Sequence, residues 1–176
     1  MKSLQYSLYK GKGGKFGAAQ FNLAPSHFYC DLCKAKNYNG ETHPNTGITC
    51  AGKMQSREGC VFLEMTSPSA PDVYDWANKV IFALSVTDLG KFLASLRTGT
   101  ELKLLHDPGA GSEKMGQVRK TLSFISPKGI EVGGILSIYE TAGESKKDHK
   151  VPLTGDECLT LAVLVQAAIA RCMNWL

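Results

Sequence analysis

The chain has 176 residues, of which 43% are hydrophobic and 20% are charged, and its formal net charge is +4 at pH 7. These values suit a single domain over residues 1–176 with a sizeable core. They exclude a membrane-spanning chain, because no apolar run reaches the ~18 residues that cross a bilayer. The first thirty residues lack the apolar segment of a signal peptide and the Arg/Ser-rich pattern of a transit peptide. We therefore expect a soluble protein with no visible targeting segment and no membrane partner.

Alternating apolar and polar residues predict four strands in the first half of the chain, at residues 4–10, 16–23, 60–65 and 79–86. A helix follows, in which Leu89, Phe92 and Leu96 recur at helical spacing. Thr87 and Asp88 can cap its start, and Gly99 ends it. The first half thus predicts four strands and a helix.

The second half repeats this plan, with strands predicted at residues 101–106, 117–125, 130–139 and 150–153. A capping box from Thr154 to Glu157 begins the last helix. From Cys158 to Leu176 this helix is apolar almost all round, so it must be buried by its own sheets or by other subunits. The sequence therefore predicts an α+β fold in which a ββββα unit occurs twice, and an oligomer.

A basic hairpin joins the first two predicted strands, with three lysines and three glycines between Lys10 and Lys15. It differs from a phosphate-binding loop because a strand follows it where that mechanism needs a helix N-terminus. Cations for phosphate beside aromatic faces for bases are typical of proteins that bind single strands. Alternatively, the hairpin only increases solubility and the aromatic residues belong to the core. On the binding hypothesis the phosphate contacts are Lys10, Lys12, Lys15, Lys79, Arg119 and Lys120, and the stacking residues are Tyr9, Phe21 and Trp76.

Four of the six cysteines lie in a polar, glycine-bearing segment at about residues 27–60, which we interpret as an inserted loop. Cys30 and Cys33 form a C-x2-C pair, and Cys50 and Cys60 follow after sixteen and nine residues. A C-x2-C pair is typical of structural zinc sites, so we predict Zn²⁺ on these four cysteines, with His43 as an alternate ligand. Free or redox-active thiols and disulfides remain alternatives. Cys158 and Cys172, in the last helix, are expected to fill the core.

Six stretches in the same order along the chain form a recognisable set: Leu8–Lys12, Ser67–Gly90, His106–Pro108, Gly116–Lys120, Val151–Thr154 and Asn174–Trp175. They resemble the Whirly family, single-stranded-DNA-binding proteins of plant organelles that are related in fold to kinetoplastid mitochondrial guide-RNA-binding proteins. The resemblance covers about residues 4–24 and 60–176, and the cysteine insert is no part of it. The chain departs from the family pattern at Gly13, Gly14 and Lys15.

The resemblance implies two four-stranded antiparallel sheets packed crosswise around a helical kernel, and a tetramer formed through the C-terminal helices. It also implies single-stranded DNA lying across the sheets with little sequence preference. We therefore predict a non-enzymatic protein of genome maintenance (replication, repair, recombination) or transcription, with a transcription or replication protein as a further partner. The alternatives are an RNA-binding protein or an RNA-polymerase-recruiting cofactor, and a thiol-redox protein that uses Cys30 and Cys33.

Overall fold

A computed structural model describes residues 5–11, 15–42, 47 and 49–175. Its strands and helices follow the chain in two ββββα blocks, with short extra strands inserted in the first block. The elements are β1 (Gln5–Tyr9), β2 (Ala18–Ala24), β3 (His27–Cys30), β4 (Met54–Arg57), β5 (Cys60–Thr66), β6 (Pro68–Ala70), β7 (Val73–Tyr74), a 3₁₀ helix (Trp76–Asn78), β8 (Val80–Leu84), α1 (Val86–Thr98), β9 (Leu102–His106), β10 (Val118–Ile125), β11 (Gly133–Ala142), β12 (Ser145–Thr154) and α2 (Gly155–Cys172).

The first sheet is antiparallel throughout and has the strand order β1-β2-β5-β8. Residues along its strands alternate between buried and more exposed positions because one face of the sheet packs on the core, and β5 shows this pattern clearly. Val61, Leu63 and Met65 are buried, whereas Phe62 and Glu64 point to the opposite side. The strands predicted at residues 4–10, 16–23, 60–65 and 79–86 are confirmed within one or two residues.

Helix α1 begins two residues earlier than a cap at Thr87 would place it. Its N-cap is Ser85, whose hydroxyl accepts from the Asp88 amide at 3.2 Å while the Asp88 carboxylate accepts from the Ser85 amide at 3.1 Å. Asp88, the third residue of the helix, therefore completes a capping box with Ser85. Gly99 ends the helix as predicted, in the left-handed conformation with φ 72°.

The second sheet is a meander of neighbouring antiparallel strands, β9-β10-β11-β12. The strand predicted at residues 150–153 is only the end of β12, which starts at Ser145. Between the strands predicted at residues 130–139 and 150–153 the chain forms a hairpin in which Ala142 pairs with Ser145, and Gly143 supplies the positive φ of the turn. With this correction the α+β fold of two four-stranded antiparallel sheets, each followed by a helix, is confirmed.

Helix α2 starts at its predicted capping box, where the Glu157 carboxylate accepts from the Thr154 amide at 2.9 Å. It ends at Cys172 rather than continuing to the C-terminus. Its buried residues recur on one side, which packs against α1 and both sheets. Core residues from both sheets and both helices form one cluster, in which Phe92 stacks on Phe21 and meets Phe124 edge-on. No helix in the described part of the chain is long and apolar enough to cross a membrane.

The cysteine segment is more ordered than the inserted loop that we expected. Strands β3 and β4 pair antiparallel at its base, with His27 opposite Arg57 and Cys30 opposite Met54. The segment leaves the first sheet at the end of β2 and returns at the start of β5, where Ala24 and Cys60 are paired. Because it joins two neighbouring strands, it leaves the register of the sheet unchanged.

Candidate nucleic-acid interface

The outward face of the second sheet carries exposed cations from three of its four strands, β9, β10 and β12. Strand register places residues of β9, β10, β11 and β12 in a row from Lys103 through Ser123 and Ser137 to Lys150. A parallel row includes Arg119 and Lys146 on either side of Thr141. All four cations are exposed. We call Lys103, Arg119, Lys146 and Lys150 the basic face.

An exposed tyrosine lies between these two rows. Tyr139 is paired with Thr121 on one side and with Asp148 on the other, and Thr121 in turn is paired with the exposed Leu105. Asp148 is the acidic member of this face and forms an ion pair with Lys150 at 2.9 Å, with both side chains about half exposed. Such an exposed pair is weak. The basic face thus combines cations, hydroxyl groups and an aromatic ring on one surface.

A second aromatic group lies at the junction of the two sheets. The ring of Tyr9, 55% exposed, lies 5.3 Å from the Tyr74 ring and 6.4 Å from the Trp76 ring, measured between centroids. The Tyr74 hydroxyl accepts from the Gly11 amide at 2.6 Å, and Asp75 caps the 3₁₀ helix that carries Trp76. We call Tyr9, Tyr74 and Trp76 the aromatic cluster. The structure thus brings together two of the three stacking residues predicted from sequence, Tyr9 and Trp76.

The basic hairpin adjoins both surfaces. The Gly17 amide donates to the Lys150 carbonyl at 3.0 Å, so the hairpin base contacts the edge strand of the second sheet. A side chain at Gly17 would collide with the Thr66 carbonyl, which makes this approach specific for glycine. Lys15 is exposed beside it. Lys12 lies outside the described residues.

Three of the predicted phosphate contacts are held by acidic partners within the chain. Lys10 binds the Glu157 carboxylate at 2.6 and 2.8 Å, at the N-terminus of α2. This contact and the Thr154 amide outweigh the burial that would raise the pKa of Glu157, so that pKa is lowered. Lys79 pairs with Glu64 at 2.6 Å. The carboxylate partner offsets much of each lysine's charge, so each is a weaker phosphate contact than an unpaired lysine would be.

Lys120 is held more firmly than the other two. Register places it on the inner face of β10, where its ammonium lies 3.1 Å from Glu140 and donates to the Ile81 carbonyl at 2.8 Å. It thereby links the second sheet to the edge strand of the first. Arg119, the neighbouring predicted contact, points outward and belongs to the basic face.

The structure corrects the expectation that Phe21 stacks a base. Phe21 is 7% exposed and lies on the inner face of β2, stacked on Phe92 within the core. Besides Tyr9, the described strands of this sheet expose the ring of Phe62, whose outward direction follows from the alternation of β5. Around it the outward face of the first sheet presents the amides of Gln20 and Asn22.

Three of the four clustered cysteines come together, and the fourth does not. The sulfur atoms of Cys30, Cys33 and Cys50 all lie within 4.8 Å of one another. Cys60 instead lies in β5, beside the end of α2, where its neighbour Gly59 donates to the Cys172 carbonyl at 3.0 Å. The four-cysteine set predicted from spacing is therefore wrong for Cys60. His43 lies outside the described residues.

Local backbone and thiol contacts shift the pKa values of Cys30 and Cys50 in opposite directions. The backbone amide of Cys33 has the largest effect on Cys30 and lowers its pKa, assisted by the Cys33 thiol and the Leu32 amide. For Cys50 the Gly52 amide lowers the pKa, but the hydrogen bond with Cys30 and burial outweigh it, and the pKa is raised. Cys158 and Cys172 are fully buried, and burial raises the pKa of each to about 11, which fits their predicted core role.

Comparison with known proteins places these features in a family. The family model described as "Whirly transcription factor" matches residues 41–166. The single-stranded DNA-binding protein WHY1, chloroplastic, of Solanum tuberosum is 40% identical over 113 residues, which are 64% of this chain and 40% of that protein. The WHY1 protein of Zea mays is 26% identical over 171 residues, which are 97% of this chain and 56% of that protein. The chain thus spans about half the length of the curated relatives it matches.

Solved structures match over nearly the whole chain. The crystal structure of WHY1 from Arabidopsis thaliana superimposes with a TM-score of 0.77 at 22% identity, over 99% of this chain and 93% of that one. The structure titled "plant transcriptional regulator PBF-2" gives a TM-score of 0.73 at 24% identity, over 99% of this chain and 85% of that one. At this level of identity the matches establish the fold.

Proposed function

Because the chain belongs to the Whirly family, we propose that it binds single-stranded DNA with little sequence preference, and that it acts by binding rather than by catalysis. The observation that carries the proposal is the basic face, where four exposed cations surround Tyr139 beside the aromatic cluster. The names of the curated relatives, which describe single-stranded DNA-binding proteins, support the same conclusion.

A protein that binds flexible single strands needs cations for the phosphates and exposed rings for the bases. Lysine and arginine side chains neutralise phosphates and release counterions, which supplies affinity without reading sequence. Exposed rings stack bases, each worth about 1–3 kcal/mol, and every base offers a π-face. Serine and threonine hydroxyls between the cations can hydrogen-bond the backbone of the strand. Duplex DNA keeps its bases stacked inside the helix, so it can use only the cations.

A direct binding comparison tests the proposal. A labelled thymine oligonucleotide, a duplex of the same length and an RNA of the same length are titrated against the purified chain by fluorescence anisotropy. We expect the single-stranded DNA to bind much more tightly than the duplex. Equal affinity for the duplex would contradict single-strand binding. Tighter binding of the RNA would show that the chain reads the 2′-hydroxyl and would contradict the preference for DNA.

We propose further that the chain assembles through α2, as a tetramer. One side of this helix packs on the core, while the other exposes Leu159 (68%), Val163 (62%) and Leu164 (41%). Leu159 and Val163 are one helical turn apart, so they form a continuous apolar stripe of the kind that marks an interaction surface.

Light scattering after gel filtration tests the assembly. We expect four chains per particle for the native protein and a smaller particle for a Leu159→Glu/Val163→Glu variant, because each carboxylate would be desolvated in the interface. Ala94→Glu, at an exposed position on α1, is the matched control and should leave the particle unchanged. A native monomer, or a double variant that stays a tetramer, would contradict assembly through α2.

The cellular role that we propose is protection of exposed single strands during genome maintenance or transcription, together with a protein of one of those processes. Cross-linking of bound DNA in cells, followed by strand-specific sequencing, should show enrichment of single-stranded regions. An even distribution over duplex DNA would contradict this role.

A further inference from the structure

The cysteine segment comprises residues 27–59, and its described part, residues 27–42, 47 and 49–59, is folded although it has almost no apolar core. Of its described residues only Cys30, Tyr38 and Gly59 are buried, and every residue of β4 is exposed. Ordering a backbone costs about 1–2 kcal/mol per residue. One buried tyrosine and a four-residue hairpin recover little of that cost. Segments of this kind usually depend on a disulfide or a bound metal.

The three thiols near Tyr38 have the spacing that a tetrahedral metal ion requires. The sulfur atoms of Cys30 and Cys50 are 3.5 Å apart, and Cys33 completes a triangle with all three sulfurs within 4.8 Å. Zn–S bonds of about 2.3 Å in a tetrahedron put sulfur atoms about 3.8 Å apart. A disulfide would join only two of the three and needs a sulfur separation of about 2.05 Å.

The backbone around the thiols is built from two facing turns. After β3 the chain turns back, with the Cys30 amide donating to the Ala35 carbonyl at 3.0 Å and the Lys34 amide donating to the Cys30 carbonyl at 2.9 Å. Within this turn the amides of Leu32 and Cys33 donate to the Cys30 sulfur. Donors of this kind stabilise a thiolate and orient it.

The second turn carries Cys50 and has the same arrangement. The Gly52 amide donates to the Cys50 sulfur. Gly52 also lies so close to the Cys30 sulfur that any side chain at this position would collide with it. The two turns are joined by Asp31 and Lys53, which exchange hydrogen bonds of 3.0 and 2.7 Å. Tyr38 closes one side, with its hydroxyl donating to the carbonyls of Cys50 and Gly52 at 2.8 and 3.1 Å.

We propose that Cys30, Cys33 and Cys50 bind one Zn²⁺ through three thiolates and that this ion holds the cysteine segment in its fold. Soft thiolate donors in a tetrahedral arrangement select zinc among the common divalent ions. The fourth position of the tetrahedron takes a nitrogen or oxygen donor. Cys60 is not a ligand. Cys30 and Cys33 precede the residues that the family model matches, and Cys50 lies within them.

Metal content of the purified full-length chain tests the site and separates the ligands from the fourth cysteine. We expect about one zinc per chain by mass spectrometry for the native protein, and loss of the metal with Cys30→Ser, Cys33→Ser or Cys50→Ser. Cys60→Ser is the matched control and should retain it. A native protein that takes up no zinc when refolded with equimolar Zn²⁺ would overturn the proposal, and so would a Cys60→Ser variant that loses the metal.

Cobalt substitution counts the thiolates directly. Sulfur-to-cobalt charge-transfer absorption scales with the number of Co–S bonds, so Cys60→Ser should leave the native spectrum unchanged. Each single ligand variant should lose at least a third of the intensity. A spectrum without charge-transfer bands would overturn the proposal, as would turnover of a disulfide substrate by the zinc-loaded protein.

Gly52 offers a test that removes no ligand. Gly52→Ala places a methyl group against the Cys30 sulfur, and we expect zinc affinity, measured by competition with a chromophoric chelator, to fall about 10–100-fold, as for other perturbed outer-shell groups. Gly90→Ala is the matched control, because a side chain there meets open space on α1. Unchanged affinity in Gly52→Ala would show that the sulfur positions differ from those on which the site is built.

Removal of the ion tests its structural role. Hydrogen exchange is compared with and without a chelator; amides of residues 27–59 should lose protection, while β5, β8 and the second sheet should keep theirs. The oligonucleotide titration of the same sample should be unchanged, so failure of the metal site is distinguishable from failure of the proposed function. Equal protection of the cysteine segment with and without the chelator would show that the ion does not hold its fold.

Discussion

Removing two lysines from the basic face provides a quantitative test of where the strand lies. Lys103 and Lys150 stand at opposite ends of one four-residue row across β9, β10, β11 and β12. Three inter-strand spacings of about 4.8 Å separate them by about 14 Å, so they cannot neutralise the same phosphate. Both side chains are exposed, and replacing them should change the free energy of unfolding by less than about 0.5 kcal/mol.

The expected loss of affinity follows from counterion release. Each phosphate contact on a single strand contributes about −0.7 to the slope of log affinity against log salt. Lys103→Ala/Lys150→Ala should therefore make the slope shallower by about 1.4. The counterion contribution to log affinity vanishes at 1 M salt. At 0.1 M salt, a slope difference of about 1.4 therefore corresponds to roughly 25-fold weaker binding by the variant. The assay is fluorescence anisotropy of a labelled thymine oligonucleotide at several salt concentrations.

The matched control carries the same change of net charge at positions away from the face. Lys91, on α1, and Lys128, between β10 and β11, are both exposed. Lys91→Ala/Lys128→Ala should leave the slope within experimental error of the native value. If the two double variants shifted the slope equally, the effect would come from net charge alone, and the basic face would not be the binding surface.

Three further predictions concern the aromatic cluster, the start of α2 and the start of α1. Tyr9→Ala should weaken oligonucleotide binding by about 1–3 kcal/mol, roughly 5- to 150-fold, whereas Tyr9→Phe should retain most of it; equal losses would show that the ring does not stack. The pKa of Glu157 is lowered from 4.5 in the folded chain, so its contribution to folding stability is present above pH 4.5 and is lost as pH falls through the folded pKa. The urea midpoint of unfolding should therefore decline less steeply below pH 5 in Glu157→Gln than in the native chain, and parallel declines would refute the shift. Ser85→Ala should lower the free energy of unfolding by about 1 kcal/mol, whereas Thr87→Ala, which the structure excludes as the cap, should change it little; the reverse order would restore Thr87 as the cap.

The parts of the fold that could be predicted from sequence are those in which buried positions hold apolar residues and exposed positions hold polar ones. β8 alternates strictly, and α1 repeats its apolar residues at helical spacing, so both were found. The first half of β12 was missed because its inner-face residues, Lys147 and His149, lie beside a polar junction with the first sheet. Lys147 donates to the Asn78 carbonyl at 3.2 Å, and His149 lies 2.8 Å from the Ser67 hydroxyl. Neither contact is visible in a local pattern.

The candidate site was only partly predictable, for a related reason. Tyr9 and Trp76 were identified by their residue type and by their position beside strand ends. The basic face depends on the register of four strands, and no single segment contains more than two of its cations. Cys60 was included because sequence spacing gives the length of chain between cysteines but not its direction. β4 carries the chain from the thiol cluster back to the first sheet before Cys60 is reached.

The cysteine segment and the aromatic cluster lie at opposite ends of the first sheet. Ala18 of β2 pairs with Thr66 of β5 beside Tyr9, whereas Ala24 pairs with Cys60 where the segment leaves. Six residue steps of about 3.4 Å separate these ends by about 20 Å. The segment therefore joins the fold at a point where it neither shifts strand register nor covers the aromatic cluster. Instead it faces the C-terminal end of α2, through the contact between Gly59 and Cys172. A metal-held segment at this position can change what the end of α2 contacts while leaving the strand-binding surface as it is.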